Sequence, residues 1–210
     1  MLKTTQKSPA RAIEAVCVYC GSGPGGDPDF VAAAREFGRS LALNGIRLVY
    51  GGGSIGLMGA IASSVMEHDG AVTGIIPDFL SAREKPFAEA QELIVTRDMH
   101  ERKRLMFERA DAFVALPGGV GTLEELVEQL TWAQLGRHKK PILLANIRKF
   151  WDPLCALLDH MQELQFIRAG LSVNYLVAER VEDILPTLVQ AIENITESEK
   201  AMKPPVAGRV

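Results

Sequence analysis

From residue 14 to residue 196 the chain alternates between short, continuous apolar runs and longer stretches in which apolar residues recur at helical spacing. Few folds accept that alternation. A strand that is apolar on both faces must be covered on both, and a helix after each strand supplies the cover while returning the chain for a parallel pairing. Strands are expected at 14–20, 46–50, 71–76, 92–96, 111–116 and 141–145, with a weak one near 175–178. Helices are expected at 57–68, 99–110, 122–135, 151–164 and 182–196. Another starts at Asp27-Pro28, an N-cap residue followed by proline at the first helical position, and Phe30, Ala34, Phe37 and Leu41 continue it at helical spacing. The expected class is α/β: a Rossmann-like, doubly wound, mostly parallel sheet of about seven strands with helices on both faces.

With 210 residues the chain suits one such domain, assigned to 14–196, with flexible tails at 1–13 and 197–210. The net charge of -3 and isoelectric point near 5.9 offer no basic surface for nucleic acid, so the expected ligand is small. No apolar run approaches the roughly 20 residues needed to span a bilayer, and residues 1–13 lack the apolar core of a signal peptide. A cytoplasmic location without membrane partners is expected. The three cysteines are too few for a disulfide framework. Cys17 and Cys20 form a C-x-x-C, but inside a strand residues three apart point to opposite faces, so they are expected to be buried thiols rather than a metal or redox pair. No metal site is expected.

Ligands of such sheets bind at the carboxyl ends of the strands. Three glycine-rich segments fall there: Gly21–Gly26, Gly51–Gly56 and Gly118-Gly119-Val120-Gly121. Three loops on one edge suggest a sugar-phosphate pocket. The first two match G-x-G-x-x-G, the dinucleotide fingerprint, and Asp78 lies near where a ribose-binding acid would follow Gly56. A nicotinamide-dependent oxidoreductase is therefore one reading, and a pair of tight strand-to-helix turns is the other. Pro24 removes a backbone donor from the first copy. The third loop is more specific: three glycines within four residues lead into a helix at Thr122, whose amides and macrodipole favour a phosphate.

Thr122-x-x-Glu125 also fits a capping box, with Thr122 as the helix cap and Glu125 reaching back to it. That role competes with catalysis by Glu125. Upstream, Arg102-Lys103-Arg104 opens a helix after the strand at 92–96. Three basic residues in a row often form a solvated face, yet a helix start on this edge points towards the same pocket. His100-Glu101 is not a zinc motif, because position 104 is arginine. The irregular stretch 77–91 has the length of a lid or binding loop.

These residues resemble the Lonely Guy family, the cytokinin-activating nucleoside 5'-monophosphate phosphoribohydrolases formerly labelled lysine decarboxylases. The family pattern P-G-G-x-G-T-x-x-E is met by Pro117 to Glu125, its R-K pair by Arg102-Lys103, and its glycine block by Gly51-Gly52-Gly53 with Gly56-Leu57-Met58-Gly59. The Cys20-Gly21-Ser22 start also fits, so the resemblance spans roughly residues 14–195. It implies a homodimer, Arg102 and Glu125 as the catalytic pair, and Gly118, Gly119, Val120, Gly121 and Thr122 as the phosphate loop, with Lys103 also on the substrate. Glu84 and Thr131 match further substrate-contact positions, and Val120 fills the motif's free position. The implied substrate is AMP or an N6-substituted AMP, cleaved without a cofactor. The older label implies pyridoxal phosphate, and no lysine is placed as its Schiff-base partner. A non-catalytic nucleotide-binding module is the remaining alternative.

Overall fold

In the computed structural model, which describes residues 13–81, 87, 90–168 and 170–202, seven strands form one sheet. They are β1 (Ala15–Tyr19), β2 (Arg47–Tyr50), β3 (Val72–Pro77), β4 (Glu92–Thr96), β5 (Ala112–Ala115), β6 (Ile142–Ala145) and β7 (Leu176–Ala178). The order is β4-β3-β2-β1-β5-β6-β7 and every pairing is parallel. The chain builds outward from β1 to β4 and then returns to the other side of β1 with β5. The order therefore reverses between β1 and β5, where loops leaving the strands diverge and open a crevice.

The helices are α1 (Pro28–Leu43), α2 (Gly56–Glu67), the single turn α3 (Asp78–Ser81), α4 (Met99–Glu108), α5 (Val120–Gln134), α6 (Asp152–Glu163) and α7 (Ile184–Met202). Strand β1 shows how two cores arise from one strand. Its Val16 and Val18, with Cys20 beyond, face α1, α2 and α7 through Ala34, Phe37, Leu41, Ile61, Val65 and Leu188. Ala15, Cys17 and Tyr19 face the opposite core, with Met106 of α4 and Leu126 and Leu130 of α5. Period two in the strand delivers both faces.

Cys17 and Cys20 consequently lie in different cores, both as free buried thiols whose pKa is pushed up by burial. A thiol reagent in native buffer is expected to modify half-buried Cys155 and to spare Cys17 and Cys20 until the protein unfolds. Rapid labelling of all three would contradict this packing.

Most boundaries fall within two residues of the expected ones, and two of the differences have a clear cause. Helix α7 runs on to Met202, past 196, since no glycine or proline interrupts the sequence there; Thr196 and Ser198 satisfy their hydroxyls on the carbonyls of Ile192 and Asn194. Helix α5 starts at Val120 with Gly119 as its N-cap and no side-chain cap bond, so Thr122 is its third residue and not the cap. The capping box expected at Thr122 and Glu125 is absent. Gly119 adopts the extended cap conformation (φ -89°, ψ -160°) and its carbonyl accepts the Leu123 N–H, which moves the helix start forward. Of the tails, 1–12 and 203–210 lie outside the described residues.

Candidate active site

The three glycine loops interlock around Gly21. Its N–H donates to the Pro117 carbonyl (3.0 Å), and its own carbonyl accepts the N–H groups of Leu57 (3.0 Å) and Met58 (3.3 Å) at the start of α2. The amides that a pyrophosphate would use in a dinucleotide site at Gly51–Gly56 are thus engaged by Gly21. Side chains are excluded at the contacts: a Cβ on Gly56 (φ 59°) would run into the Ser22 carbonyl, and one on Gly118 would run into Thr122. The nicotinamide reading thereby loses the anion site at its second fingerprint, which serves as a strand-to-helix turn.

Helix α5 is different. With no side-chain cap, its first amides are left for a ligand, and Gly119, Val120, Gly121 and Thr122 line a cleft of about 330 Å³. The cleft is completed by Ser22 and Cys20 after β1, Gly51 after β2, Met58 of α2, Leu80 of α3, Met99 and Arg102 of α4, and Glu125 of α5. Thr122 is buried and its side chain packs on Gly118, which supports the loop from below.

Arg102 and Glu125 meet across this cleft. Arg102 Nη1 lies 3.2 Å from Glu125 Oε1, with the two side chains 9% and 10% exposed. Arg102 Nε donates to the Ile75 carbonyl of β3 (3.1 Å), which seats the guanidinium against the sheet. Gly51 makes the room: a Cβ there would collide with Arg102 Nη2. The phase of α4 follows from a cap at its own start. Asp98 accepts the Glu101 N–H (2.8 Å), and Glu101 reaches back to the Arg97 N–H (3.0 Å). A reciprocal cap of this kind therefore belongs to α4, and an aspartate three residues before a glutamate was its visible signal.

Burial pushes the Glu125 carboxyl above the usual carboxylate range, and the Arg102 guanidinium acts in the opposite direction without cancelling it. The site thus holds a carboxylate poised to exchange a proton beside a permanent cation.

The other expected contacts are placed elsewhere. Lys103 does not line the cleft; its ammonium is held by Glu124 and by Glu128 (2.9 Å). Thr131 is exposed on α5 and donates to the Val127 carbonyl (2.8 Å). Glu84 lies outside the described residues. No described lysine lines the cleft, so these residues do not suit a pyridoxal phosphate Schiff base. Among the described residues no group of three or more His, Cys, Asp or Glu side chains is placed to hold a metal. Ser22, Gly51 and Met58 stand within the glycine motifs quoted from the sequence but were not expected there as lining residues, and neither were Leu80 and Met99.

The family profile described as "possible lysine decarboxylase" matches residues 58–188. Over 189 residues the chain is 43% identical to a probable cytokinin riboside 5'-monophosphate phosphoribohydrolase of Oryza sativa subsp. japonica, covering 90% of this chain and 83% of that one. The chain belongs to the Lonely Guy family. A second relative, the cytokinin riboside 5'-monophosphate phosphoribohydrolase of Rhodococcoides fascians, is 40% identical over 190 residues, or 90% of this chain and 96% of that one. The Lonely Guy fold extends to a molybdenum cofactor binding protein from Rippkaea orientalis, with a TM-score of 0.62 and 22% identity over 87% of this chain and 96% of that one. At that identity the likeness concerns architecture alone. Among the described residues of this Lonely Guy chain, no helix is long and apolar enough to cross a membrane.

Proposed function

We propose that the chain hydrolyses the N-glycosidic bond of AMP or an N6-substituted AMP, releasing free base and ribose 5-phosphate. The observation that carries this reading is the buried Arg102–Glu125 pair beside the uncapped start of α5. The names of the relatives agree with it.

The phosphate is held by the amides and loop of Gly118 to Thr122, at the positive end of the α5 macrodipole. Holding the phosphate brings the sugar towards Glu125. Cleavage leaves positive charge on the ribose ring, and a carboxylate beside C1' stabilises it, takes a proton from the attacking water, or does both. The water oxygen bonds to C1', the C1'–N bond breaks, and the base nitrogen ends protonated. Arg102 stays charged throughout, so it orients the substrate and Glu125 and is not the acid. Glu84 and Thr131 as further substrate contacts rest on the resemblance.

The reading includes a homodimer in the cytoplasm, with a small nucleotide and no nucleic acid as partner. Supporting the dimer, Val120, Leu123 and Val127 of α5 and its C-cap Leu135 leave exposed apolar side chains, which a second copy would cover.

The test is incubation of the purified protein with AMP and with N6-isopentenyl-AMP, followed by detection of free base and ribose 5-phosphate. Binding of either nucleotide without base release would sink the reading. A companion variant probes the cleft geometry. Gly51→Ala places a methyl against Arg102 Nη2 and Met58, and is expected to lower kcat about 100-fold while the protein stays folded. An unchanged kcat would mean the guanidinium position is not critical.

A further inference from the structure

The cleft lies at the carboxyl edge of the sheet, yet the two helices that meet across it run on to the amino edge, where a second contact joins them. Helix α4 ends at Glu108, so its last carbonyls have no donor from within the helix. Had the helix continued, the Asp111 N–H would serve the Phe107 carbonyl; it donates instead to the Ala15 carbonyl of β1 (2.9 Å). Lys140, half-buried between α5 and β6, supplies the missing donor, its Nζ lying 2.6 Å from the Phe107 carbonyl. A cation there also suits the negative end of the α4 macrodipole.

The same ammonium sits 4.2 Å over the centre of the Phe107 ring. That ring meets Trp132 of α5 nearly at right angles (5.3 Å), packs against His138 (5.2 Å) and stacks on Phe113 of β5 (6.1 Å). His138 Nδ1 in turn accepts the Lys140 N–H (3.2 Å), which ties down the backbone that carries the ammonium. Burial lowers the Lys140 pKa, and the Asp111 carboxylate opposes it most. The carbonyl and the ring face replace part of the water that the ammonium gives up.

We propose that Lys140 is a positioning residue for the reaction: by holding the Phe107 carbonyl, and the Phe107 ring against Trp132, it fixes the far end of α4 and so the placement of Arg102 opposite Glu125. The catalytic consequence rests on the base-release reading, though the contact itself does not. Helix α4 has ten residues, and Arg102 and Phe107 are about 7.5 Å apart along its axis. A shift of so short a rod at Phe107 is felt at Arg102, and a misplacement of about 1 Å lowers a rate by up to about 100-fold.

Glu125 reports such a shift. Burial raises its pKa most; Arg102 and Lys103 of α4 lower it, while Glu124 and Glu128 of its own helix raise it. Cys17, Tyr19 and Cys20, which face it from β1 and just beyond, are pushed up by burial and so are uncharged. When α4 retreats, both cations leave together, and the protonated form of Glu125 is favoured.

The test compares wild type with three variants whose altered side chains lie outside the cleft wall. Lys140→Met keeps the aliphatic stem and loses the donor and the charge, Lys140→Arg keeps both, and Phe107→Leu keeps the carbonyl contact and loses the ring. Each is assayed below its melting transition for base release from AMP and, independently of turnover, by carbon-13 NMR titration of the Glu125 carboxyl. Lys140→Met is expected to lose about tenfold in kcat/KM and to move the Glu125 titration up by about half a pH unit. Phe107→Leu should move both in the same direction and less far, and Lys140→Arg should stay near wild type. A folded Lys140→Met that melts lower but keeps wild-type base release and titration would make the contact merely structural and overturn the proposal. An arginine variant as impaired as the methionine one would also overturn it. Should Lys140→Met fail to fold, an unmoved titration in Phe107→Leu decides against it. Absence of base release in wild type would refute the functional reading instead, and the titration would still decide the role of Lys140.

Discussion

Glu125→Gln is expected to lower kcat for base release from AMP by about 10³, within the range a positioned proton-transfer group contributes, and to leave the protein folded. A glutamine oxygen at the same place still accepts from Arg102 Nη1, and a neutral amide costs less to bury than a carboxylate. Thermal melting should therefore stay within a few degrees of wild type or rise, while free base disappears from the product analysis. The pH dependence provides a second readout. Burial holds the Glu125 pKa above its ordinary value near 4.3, and the working form is the anion. Activity should accordingly climb with pH through a limb placed above that value, and the glutamine variant should lack the limb. A variant that releases base at the wild-type rate would remove Glu125 from the mechanism.

Arg102→Met is expected to have the largest effect on stability. It strips Glu125 of its counter-charge and leaves the Ile75 carbonyl without its Nε donor. Breaking a buried pair from one side costs about 3–5 kcal/mol where the remaining group must stay charged. The sign with pH follows from the raised pKa. With Arg102 gone, nothing of its strength opposes burial, so the folded protein holds a proton on Glu125 that the unfolded chain would release. The stability of the variant is then fully present below the ordinary carboxylate pKa and is lost as pH rises through the higher folded value. Urea denaturation in acid and at neutral pH should show the deficit widening with pH. Adding Glu125→Gln to Arg102→Met should recover part of the loss, since the uncompensated carboxyl is gone. A deficit that does not change with pH would mean Glu125 is not the cause.

How far this site was legible depends on the residue. The pairing of glycine loops with the carboxyl edge of the sheet followed from the strand–helix alternation, because right-handed parallel crossovers bring alternate loops to one side. The separation of Cys17 from Cys20 followed from the two-residue period of a strand. The role of Glu125 did not follow. Thr122-x-x-Glu125 has the spacing of a capping box, and spacing does not reveal where a helix begins when Gly118 and Gly119 precede it. Moving the cap three residues back, from Thr122 to Gly119, turns Thr122 into buried support and leaves Glu125 to face Arg102. Likewise, Gly51–Gly56 carries the letters of a dinucleotide fingerprint, and only the Gly21 carbonyl, lying against the start of α2, removes its amides from use.

By itself the sequence determined the layered α/β class, the edge on which the glycine loops gather, and the glycine-rich entry to α5 at Gly118–Thr122 that the proposed phosphate site uses. These depend on local periodicity and on backbone freedom at glycine, which neighbouring residues specify. The tertiary structure decided which charges meet. Arg102 and Glu125 lie on different helices, and Lys103, one residue from Arg102, is turned away from the cleft to Glu124 and Glu128. The strength of these contacts comes from excluding water, and water is excluded only when α4 and α5 close over the sheet. For that reason the elevated pKa of Glu125, unlike the glycine loop beside it, is a property of the assembled fold.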